Sequence, residues 1–257
     1  MRRGLRIYVS LLVSGIVFSA CGVDKKVEED QAHIIVDVSE EAAETDASIE
    51  TKEQFSVEET IETNEEEPIA DVPEQEEFVK VKEFVDGICV ELKYSTTDNF
   101  TRQKIYDFSE AYLRYGTVEK LRNVQEDLKA QGLSLKIWDA FRPTEAQFVL
   151  WEVCPDASYV ANPNKGFSSH SRGNTIDLTL VDKEGNELVM PTGFDDFSAL
   201  ADRNYSDCSE EARKNAELLE QVMTNNGFQG YFGEWWHFTD IEEYPVEQEF
   251  VICTEEE

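Results

Sequence analysis

The chain has 257 residues, of which 55 are Asp or Glu and 23 are Lys or Arg, so its formal net charge is −32. Such an acidic chain, without a basic stripe, excludes nucleic-acid binding of the electrostatic kind. The acidic excess is concentrated before the middle of the chain, because residues 22–77 carry 21 Asp and Glu residues against three Lys.

The N-terminus has the pattern of an export signal. Three arginines within the first six residues precede an apolar run over 7–20. That run is shorter than the roughly 20 residues needed to cross a bilayer, and it is typical of a secretory signal peptide. Residues 18–21, Phe-Ser-Ala-Cys, resemble the cleavage site of bacterial lipoproteins. We therefore expect a lipoprotein signal peptide over 1–20, with lipidated Cys21 anchoring the protein to the outer face of the cell membrane. The alternative is a plain signal peptide that is cut nearby.

The acidic segment over 21–77 is expected to be a disordered tether. Its scattered hydrophobic residues follow no sustained period, so it cannot bury enough apolar surface to offset the entropy lost on ordering. The like charges along it favour an extended chain. A weakly folded binding segment is the alternative.

The folded domain is expected over 78–257, with helices and strands in mixed order. The predicted elements are a strand over 88–94, a helix capped by Thr117 and stopped by Gly132, a strand over 133–137, a helix over 144–151, a strand over 175–180 with a hairpin turn at 183–186, a helix opened by Ser209 and closed by Gly227, and a strand over 228–232. Strands in pairs with separate helices predict an α+β fold, with a mostly antiparallel central sheet flanked by helices.

Four cysteines in the expected domain agree with export. An even set in an oxidising compartment favours two disulfides, for which three pairings are possible. Their positions relative to the predicted elements favour Cys154–Cys208 and Cys89–Cys253. None of the four has the spacing of a C-x-x-C zinc or redox pair.

A histidine and an aspartate that could bind metal lie seven residues apart. Asp177 is on the polar side of the alternating strand, and Gly173 allows a turn that brings His170 beside it. A catalytic zinc ion usually takes three protein ligands and leaves one position for water. His237 is the other histidine of the expected domain. His170, Asp177 and His237 are therefore predicted to bind one zinc ion.

Glu234 stands three residues before His237 and is followed by two tryptophans. Such aromatic density indicates partial burial rather than an ordinary surface carboxylate. A carboxylate placed beside a metal-activated water can accept its proton, which is what a metallohydrolase requires. Glu234 is therefore predicted to be a general base.

Several spaced motifs resemble those of the D-alanyl-D-alanine dipeptidases of the VanX type, within the zinc DD-peptidases. They are Lys93-Tyr94 with Thr97-Asp98-Asn99-Phe100, Trp138-Asp139 with Arg142-Pro143, Ser-Ser-His-Ser-Arg-Gly at 168–173, Asp-Leu-Thr-Leu at 177–180, Phe194-Asp195-Asp196-Phe197 and Glu-Trp-Trp-His at 234–237. The resemblance runs from about Asp86 to Pro245, and it implies a zinc DD-peptidase-like fold.

The resemblance also implies roles for residues at matching positions. It makes His170, Asp177 and His237 the zinc ligands and Glu234 the base and proton shuttle. It makes Arg142 the partner of the negatively charged oxygen that develops during the reaction, with Asp139 orienting it. The implied pocket residues are Tyr94, Ser169 and Asp195, of which Asp195 is a candidate to meet the free ammonium of a dipeptide.

The resulting expectation is an exported zinc metallopeptidase that hydrolyses D-Ala-D-Ala to two D-alanines. One alternative is a DD-carboxypeptidase that trims peptidoglycan stem peptides with the same metal chemistry. Another is a non-catalytic lipoprotein that binds cell-wall peptides on this fold. Glu234 and Arg142 argue against the last, since binding alone needs neither a base nor a partner for an oxyanion.

Overall fold

The computed structural model describes residues 72–252. The described strands are β1 (Phe78–Lys80), β2 (Cys89–Val90), β3 (Tyr112–Arg114), β4 (Leu133–Asp139), β5 (Thr175–Asp182), β6 (Phe228–Gly230) and β7 (His237–Asp240). The described helices are α1 (Val81–Phe84), α2 (Tyr115–Lys129), α3 (Thr144–Val153) and α4 (Glu210–Asn225). The predicted signal peptide, Cys21 and most of the predicted tether lie outside the described residues, as does Cys253.

The central sheet has five strands in the order β2-β4-β5-β7-β6. The β2–β4 pair is parallel, and the other three pairs are antiparallel. The predicted α+β fold with a mostly antiparallel central sheet is therefore confirmed. β1 and β3 form a separate antiparallel pair that the sequence pattern did not predict. Across residues 72–252, no helix has the length and apolar character needed to cross a membrane.

The core lies between this sheet and the helices α2 and α4, because both helices carry apolar residues at helical spacing. Burying one such side chain contributes about 1.5–3 kcal/mol. The fully buried apolar positions include Val118, Leu121, Val124 and Leu128 of α2 and Ile176, Leu178 and Leu180 of β5. The apolar residues of the alternation predicted over 175–180 thus form the core-facing side of β5.

Two helix starts test the predicted caps. Ser209 caps α4 as predicted, because its Oγ accepts a hydrogen bond from Ala212 N at 3.1 Å. Thr117 does not cap α2, which begins at Tyr115. Its Oγ1 donates instead to buried Asp240 at 2.9 Å. A tertiary partner for the hydroxyl therefore overrides the local capping signal.

Several predicted strands are shorter in the structure. The strand predicted over 88–94 is limited to β2, which has only two residues in register with β4. After it the chain enters a 3-10 turn at Lys93–Ser95, where the carbonyl of Tyr94 accepts bonds from two later backbone N–H groups. The strand after the 183–186 turn is reduced to a single bridge between Val181 and Glu187.

The predicted Cys154–Cys208 disulfide is wrong. Both residues are free cysteines that are partly buried against the hydrophobic core. Cys208 Sγ lies 3.4 Å from the carbonyl oxygen of Tyr205, to which it donates. These thiols act as small packing groups. Cys89 is also free, and the predicted Cys89–Cys253 pairing involves a partner outside the described residues.

The chain just before β1 is bound to the domain. The carbonyl oxygens of Gln75 and Glu77 accept hydrogen bonds from Gly116 N and Tyr115 N, at 3.0 and 2.8 Å. Arg114 Nη1 donates to the carbonyl of Glu76 at 2.7 Å. The last few residues of the expected tether therefore dock on the start of α2.

Candidate active site

His170 is held in a 3-10 turn over Ser169–Arg172. The Oγ of Ser168 caps this turn by accepting a hydrogen bond from His170 N at 3.3 Å. The turn ends at Gly173, whose φ of +76° lies in the left-handed region that favours glycine. A Cβ at Gly173 would also lie closer than 3.0 Å to the ring of Phe78. The turn predicted at this glycine is present, and it leads directly into β5.

The pairing of β5 with β7 places the other two predicted metal ligands opposite each other, with Asp177 in register with His237. Asp177 Oδ1 lies 3.0 Å from His237 Nδ1, and Asp177 Oδ2 lies 3.3 Å from His170 Nε2. The ring nitrogens His170 Nε2 and His237 Nδ1 are 3.4 Å apart. The structure thus brings together three residues that the sequence separates by up to 67 positions.

The ring of His170 is oriented by the backbone. Its Nδ1 lies 2.8 Å from the carbonyl oxygen of Ala140, which can only accept a hydrogen bond. Nδ1 therefore carries the proton, and the Nε2 that faces Asp177 keeps its lone pair in the neutral ring. A histidine that donates through one nitrogen to a carbonyl presents the other nitrogen as a metal ligand.

These three residues fit a zinc ion. A tetrahedral ion with bonds of about 2.0–2.1 Å keeps its ligand atoms roughly 3.3 Å apart, close to the separations observed here. Asp177 Oδ1 is buried and accepts no hydrogen bond from the described residues, in spite of its closeness to His237. Burial opposes ionisation of Asp177, but the two histidines outweigh it and lower the pKa of the carboxyl. An ionised carboxylate and two imidazoles facing one point are a typical zinc donor set.

Glu234 lies beside this cluster, with Oε2 3.6 Å from His237 Nδ1. The next two residues, Trp235 and Trp236, are buried. The side chain of Glu234 is only 18% exposed, which confirms the partial burial expected from the aromatic density. Burial raises the pKa of Glu234 to about 7, against the opposing effect of His237. A carboxyl group with a pKa near neutrality can both accept and release a proton.

Arg142 is buried next to the cluster and is held by Asp139. Its Nε and Nη2 donate to Asp139 Oδ2 at 3.0 and 2.6 Å, and Nη2 lies 4.0 Å from Asp177 Oδ2. Burial alone would lower the pKa of Arg142, but Asp139 raises it well above its usual range. The guanidinium is therefore a fixed positive charge, as expected of a residue oriented by Asp139.

All eight site residues predicted from the sequence line one cavity of about 250 Å³. They are Tyr94, Arg142, Ser169, His170, Asp177, Asp195, Glu234 and His237. Drug-sized ligands occupy pockets of roughly 300–1,000 Å³, so this cavity suits a smaller molecule. Tyr94 OH donates to Asp195 Oδ2 at 2.8 Å, and burial raises the pKa of Asp195 well above its usual range despite that bond.

Sequence reasoning missed several residues that shape the site. Gln147 accepts a hydrogen bond from Arg142 Nη1, and Tyr106 OH donates to Asp139 Oδ1 at 2.8 Å. Tyr159 stacks on Phe197 with ring centroids 4.7 Å apart, and both line the cavity. The sequence could have identified Gln147, because this polar residue lies three positions before the apolar residue Leu150 and therefore on the same face of the predicted helix. No local signal identifies the others, because their partners are distant in sequence.

Comparisons with known proteins agree with this geometry. The family described as D-Ala-D-Ala dipeptidase matches residues 74–255. A D-alanyl-D-alanine dipeptidase of Escherichia coli (strain K12) is 39% identical over 179 residues, which cover 69% of this chain and 92% of that protein. One from Enterococcus faecium is 34% identical over 189 residues, which cover 65% of this chain and 94% of that protein.

Solved structures with some likeness include VanYB in complex with D-Ala-D-Ala, at 14% identity and a TM-score of 0.36, covering 51% of this chain and 73% of that chain. The D,D-dipeptidase VanXYg, in complex with a D-Ala-D-Ala phosphinate analogue, has 18% identity and a TM-score of 0.34. That match covers 64% of this chain and 66% of the other.

Proposed function

The chain belongs to the D-Ala-D-Ala dipeptidase family, and we propose that it hydrolyses the dipeptide D-Ala-D-Ala to two D-alanines at the cavity lined by His170, Asp177 and His237. Relatives at 39% and 34% identity carry the name of this activity. The observation that carries the proposal is the convergence of His170 Nε2, an Asp177 carboxylate and His237 Nδ1 in a small cavity that also holds Glu234 and Arg142.

We propose that His170, Asp177 and His237 hold one zinc ion per chain. Support comes from the donor set and from the buried Asp177 oxygen that accepts no hydrogen bond from the described residues. When bound, zinc supplies a Lewis acid that lowers the pKa of water and polarises a carbonyl. Asp177 brings one negative charge to the site. A zinc ion with two positive charges, taken together with its three ligands, would therefore carry a net charge of about +1.

Glu234 is the proposed base and proton carrier. Its carboxylate accepts the proton of the attacking water and then gives it to the leaving amine of the dipeptide. A pKa raised by burial, to about 7, suits both steps. The carboxylate stands 3.6 Å from His237 Nδ1. At that distance it could bind a water molecule that lies between Glu234 and the three proposed metal ligands.

Arg142 is proposed to stabilise the carbonyl oxygen as it gains negative charge. Asp139 fixes the guanidinium before substrate arrives, so no reorganisation is needed during the reaction. Ser169, Tyr94 and Asp195 line the same cavity, and the carboxyl of Asp195 is the proposed partner of the substrate ammonium. A substrate ammonium close to Asp195 would favour its ionised form over the neutral one.

The substrate proposal is tested by incubating the zinc-loaded protein separately with D-Ala-D-Ala and with a stem pentapeptide ending in D-Ala-D-Ala, and measuring released D-alanine. Release from the dipeptide with little release from the pentapeptide is expected, because the cavity is small. A pentapeptide that is cut while the dipeptide stays intact would instead establish the DD-carboxypeptidase. No release from either would favour the peptide-binding lipoprotein.

We further propose that the protein is exported and anchored to the outer face of the membrane through lipid on Cys21, with residues 21–77 as a tether. Support comes from the arginines, the apolar run and the Phe-Ser-Ala-Cys sequence over residues 1–21. Metabolic labelling with a fatty acid tests this. Label is expected in the wild-type protein and not in Cys21→Ser, and an unlabelled wild type would contradict the anchor.

A further inference from the structure

Gln147 is a fully buried polar side chain whose two ends are both engaged. It lies on α3 with 0% exposure. Its Oε1 accepts a hydrogen bond from Arg142 Nη1 at 2.9 Å, and its Nε2 donates to the carbonyl oxygen of Ala161 at 2.8 Å. A single side chain therefore bridges the buried guanidinium and the loop that follows α3.

The bond to Gln147 completes the anchoring of Arg142. A guanidinium has five N–H donors, and among the described residues three of them are used, two on Asp139 and one on Gln147. One N–H is left on each terminal nitrogen. Without Gln147, no hydrogen bond among the described residues would hold the Nη1 end. The guanidinium would keep only the Asp139 contacts on its opposite side and the ring of Tyr94, whose centroid lies 5.3 Å from Cζ.

The other end of Gln147 fixes a wall of the cavity. Residues 157–161 all line the cavity, and Ala161 is the last of them. Val160 is buried in the core and Tyr159 stacks on Phe197, and the carbonyl of Ala161 is hydrogen-bonded to α3 through Gln147. The arginine and the wall are thus set by the same side chain.

We propose that Gln147 is a positioning residue for hydrolysis, which holds the Arg142 guanidinium in its reactive orientation and ties it to the wall at Ala161. This inference rests on the proposed function. Gln147 does not touch the substrate, and its effect passes through Arg142. A small misplacement of a group that stabilises developing charge can reduce the rate by about a hundredfold.

The test compares Gln147→Met, which keeps the volume and removes both hydrogen bonds, with Gln125→Met as a matched control. Gln125 is also a buried glutamine with both ends bonded, to Ser134 and to the backbone N–H of Leu135, and it does not line the cavity. kcat and KM for D-Ala-D-Ala are measured per zinc-loaded site. We expect kcat to fall ten- to a hundredfold in Gln147→Met and by less than threefold in Gln125→Met.

Gln147→Glu serves as the variant that keeps one of the two bonds, because its carboxyl accepts from Arg142 but has no N–H to donate to the carbonyl of Ala161. We expect kcat to recover to within about fivefold of the wild type, as retention of one charge-assisted hydrogen bond would allow. Equal losses of kcat in Gln147→Met and Gln125→Met, or no recovery in Gln147→Glu, would assign Gln147 a structural role only and overturn the inference.

A second measurement does not depend on activity. In protein labelled with ¹⁵N-arginine, the rate of rotation about the Nε–Cζ bond of Arg142 is measured by NMR, with the signal assigned by its loss in Arg142→Lys. We expect Gln147→Met to raise this rate roughly tenfold, as the loss of one charge-assisted bond implies. An unchanged rate would overturn the positioning role. If the wild type hydrolyses no dipeptide while the rate still rises, the proposed function fails and the anchoring of Arg142 by Gln147 is supported.

Discussion

The turn that carries His170 depends on a glycine for two separate reasons, and Gly173→Ala tests both. The φ of +76° at Gly173 is unfavourable for any residue with a Cβ, and the added methyl would meet the ring of Phe78 closer than 3.0 Å. The first effect costs about 1–2 kcal/mol. Overpacking against a ring that is itself fixed costs a further ~1–3 kcal/mol. We expect Gly173→Ala to lower the free energy of unfolding by about 2–5 kcal/mol.

Gly132→Ala is the matched control for the first effect alone. Gly132 has a φ of +73°, and nothing lies within 4 Å of the position that its Cβ would take. We expect this variant to lose only about 1–2 kcal/mol. The two free energies are measured by urea unfolding of the full-length protein in the presence of a chelator, so that metal binding does not contribute to the stability.

The Phe78 contribution can be isolated in a double-mutant cycle. The ring centroid of Phe78 lies 4.7 Å from that of Phe141 and 4.4 Å from that of Phe250. Phe78→Ala alone therefore lowers the free energy of unfolding. In a Phe78→Ala background, however, Gly173→Ala should cost about 1–3 kcal/mol less than in the wild type. Gly173→Ala could prove no more destabilising than Gly132→Ala, or the cycle could show no coupling. Either result would mean that the ring of Phe78 does not exclude a side chain at position 173.

Three further predictions concern the cavity. Glu234→Gln should lower kcat by about 10²–10⁴-fold with zinc content unchanged, and substantial residual activity would exclude Glu234 as the base. Arg142→Lys should lower kcat/KM by about 10²–10³-fold, since lysine cannot replace the two bonds to Asp139, and a loss confined to KM would contradict its role. Burial raises the pKa of the Asp195 carboxyl above its unfolded value, so the stability that this group contributes is present below about pH 4 and is lost as pH rises. Asp195→Asn should therefore gain stability relative to the wild type between pH 4 and 8 in chelator, and a constant difference would refute this.

Elements with a strong local pattern were predictable from the sequence. The alternation over 175–180 and the glycine before it identify β5 and its turn, and Ser209 with the apolar stripe after it identifies α4. That His170, Asp177 and His237 come together was predictable as well, because the expected domain has only two histidines and each lies in a dense polar or aromatic motif.

Features that depend on tertiary contacts were not predictable. β1 and β3 have three residues each and pair across more than thirty positions, so neither has a detectable period. Thr117 carries a capping signal, but its hydroxyl binds Asp240, 123 positions away. Two disulfides were inferred from the compartment and the parity of the cysteines, and the Cys154–Cys208 pairing from their positions beside predicted helices. None of these determines which sulfur atoms approach each other.

We propose that one zinc ion at His170, Asp177 and His237 makes this protein a D-Ala-D-Ala dipeptidase. The most direct measurement is a zinc titration of the metal-free full-length protein, with D-alanine released from D-Ala-D-Ala recorded at each addition. We predict no release without metal, and a rise that saturates at one zinc per chain. Hydrolysis that survives chelation, or that is absent at every ratio of zinc to protein, would contradict the claim.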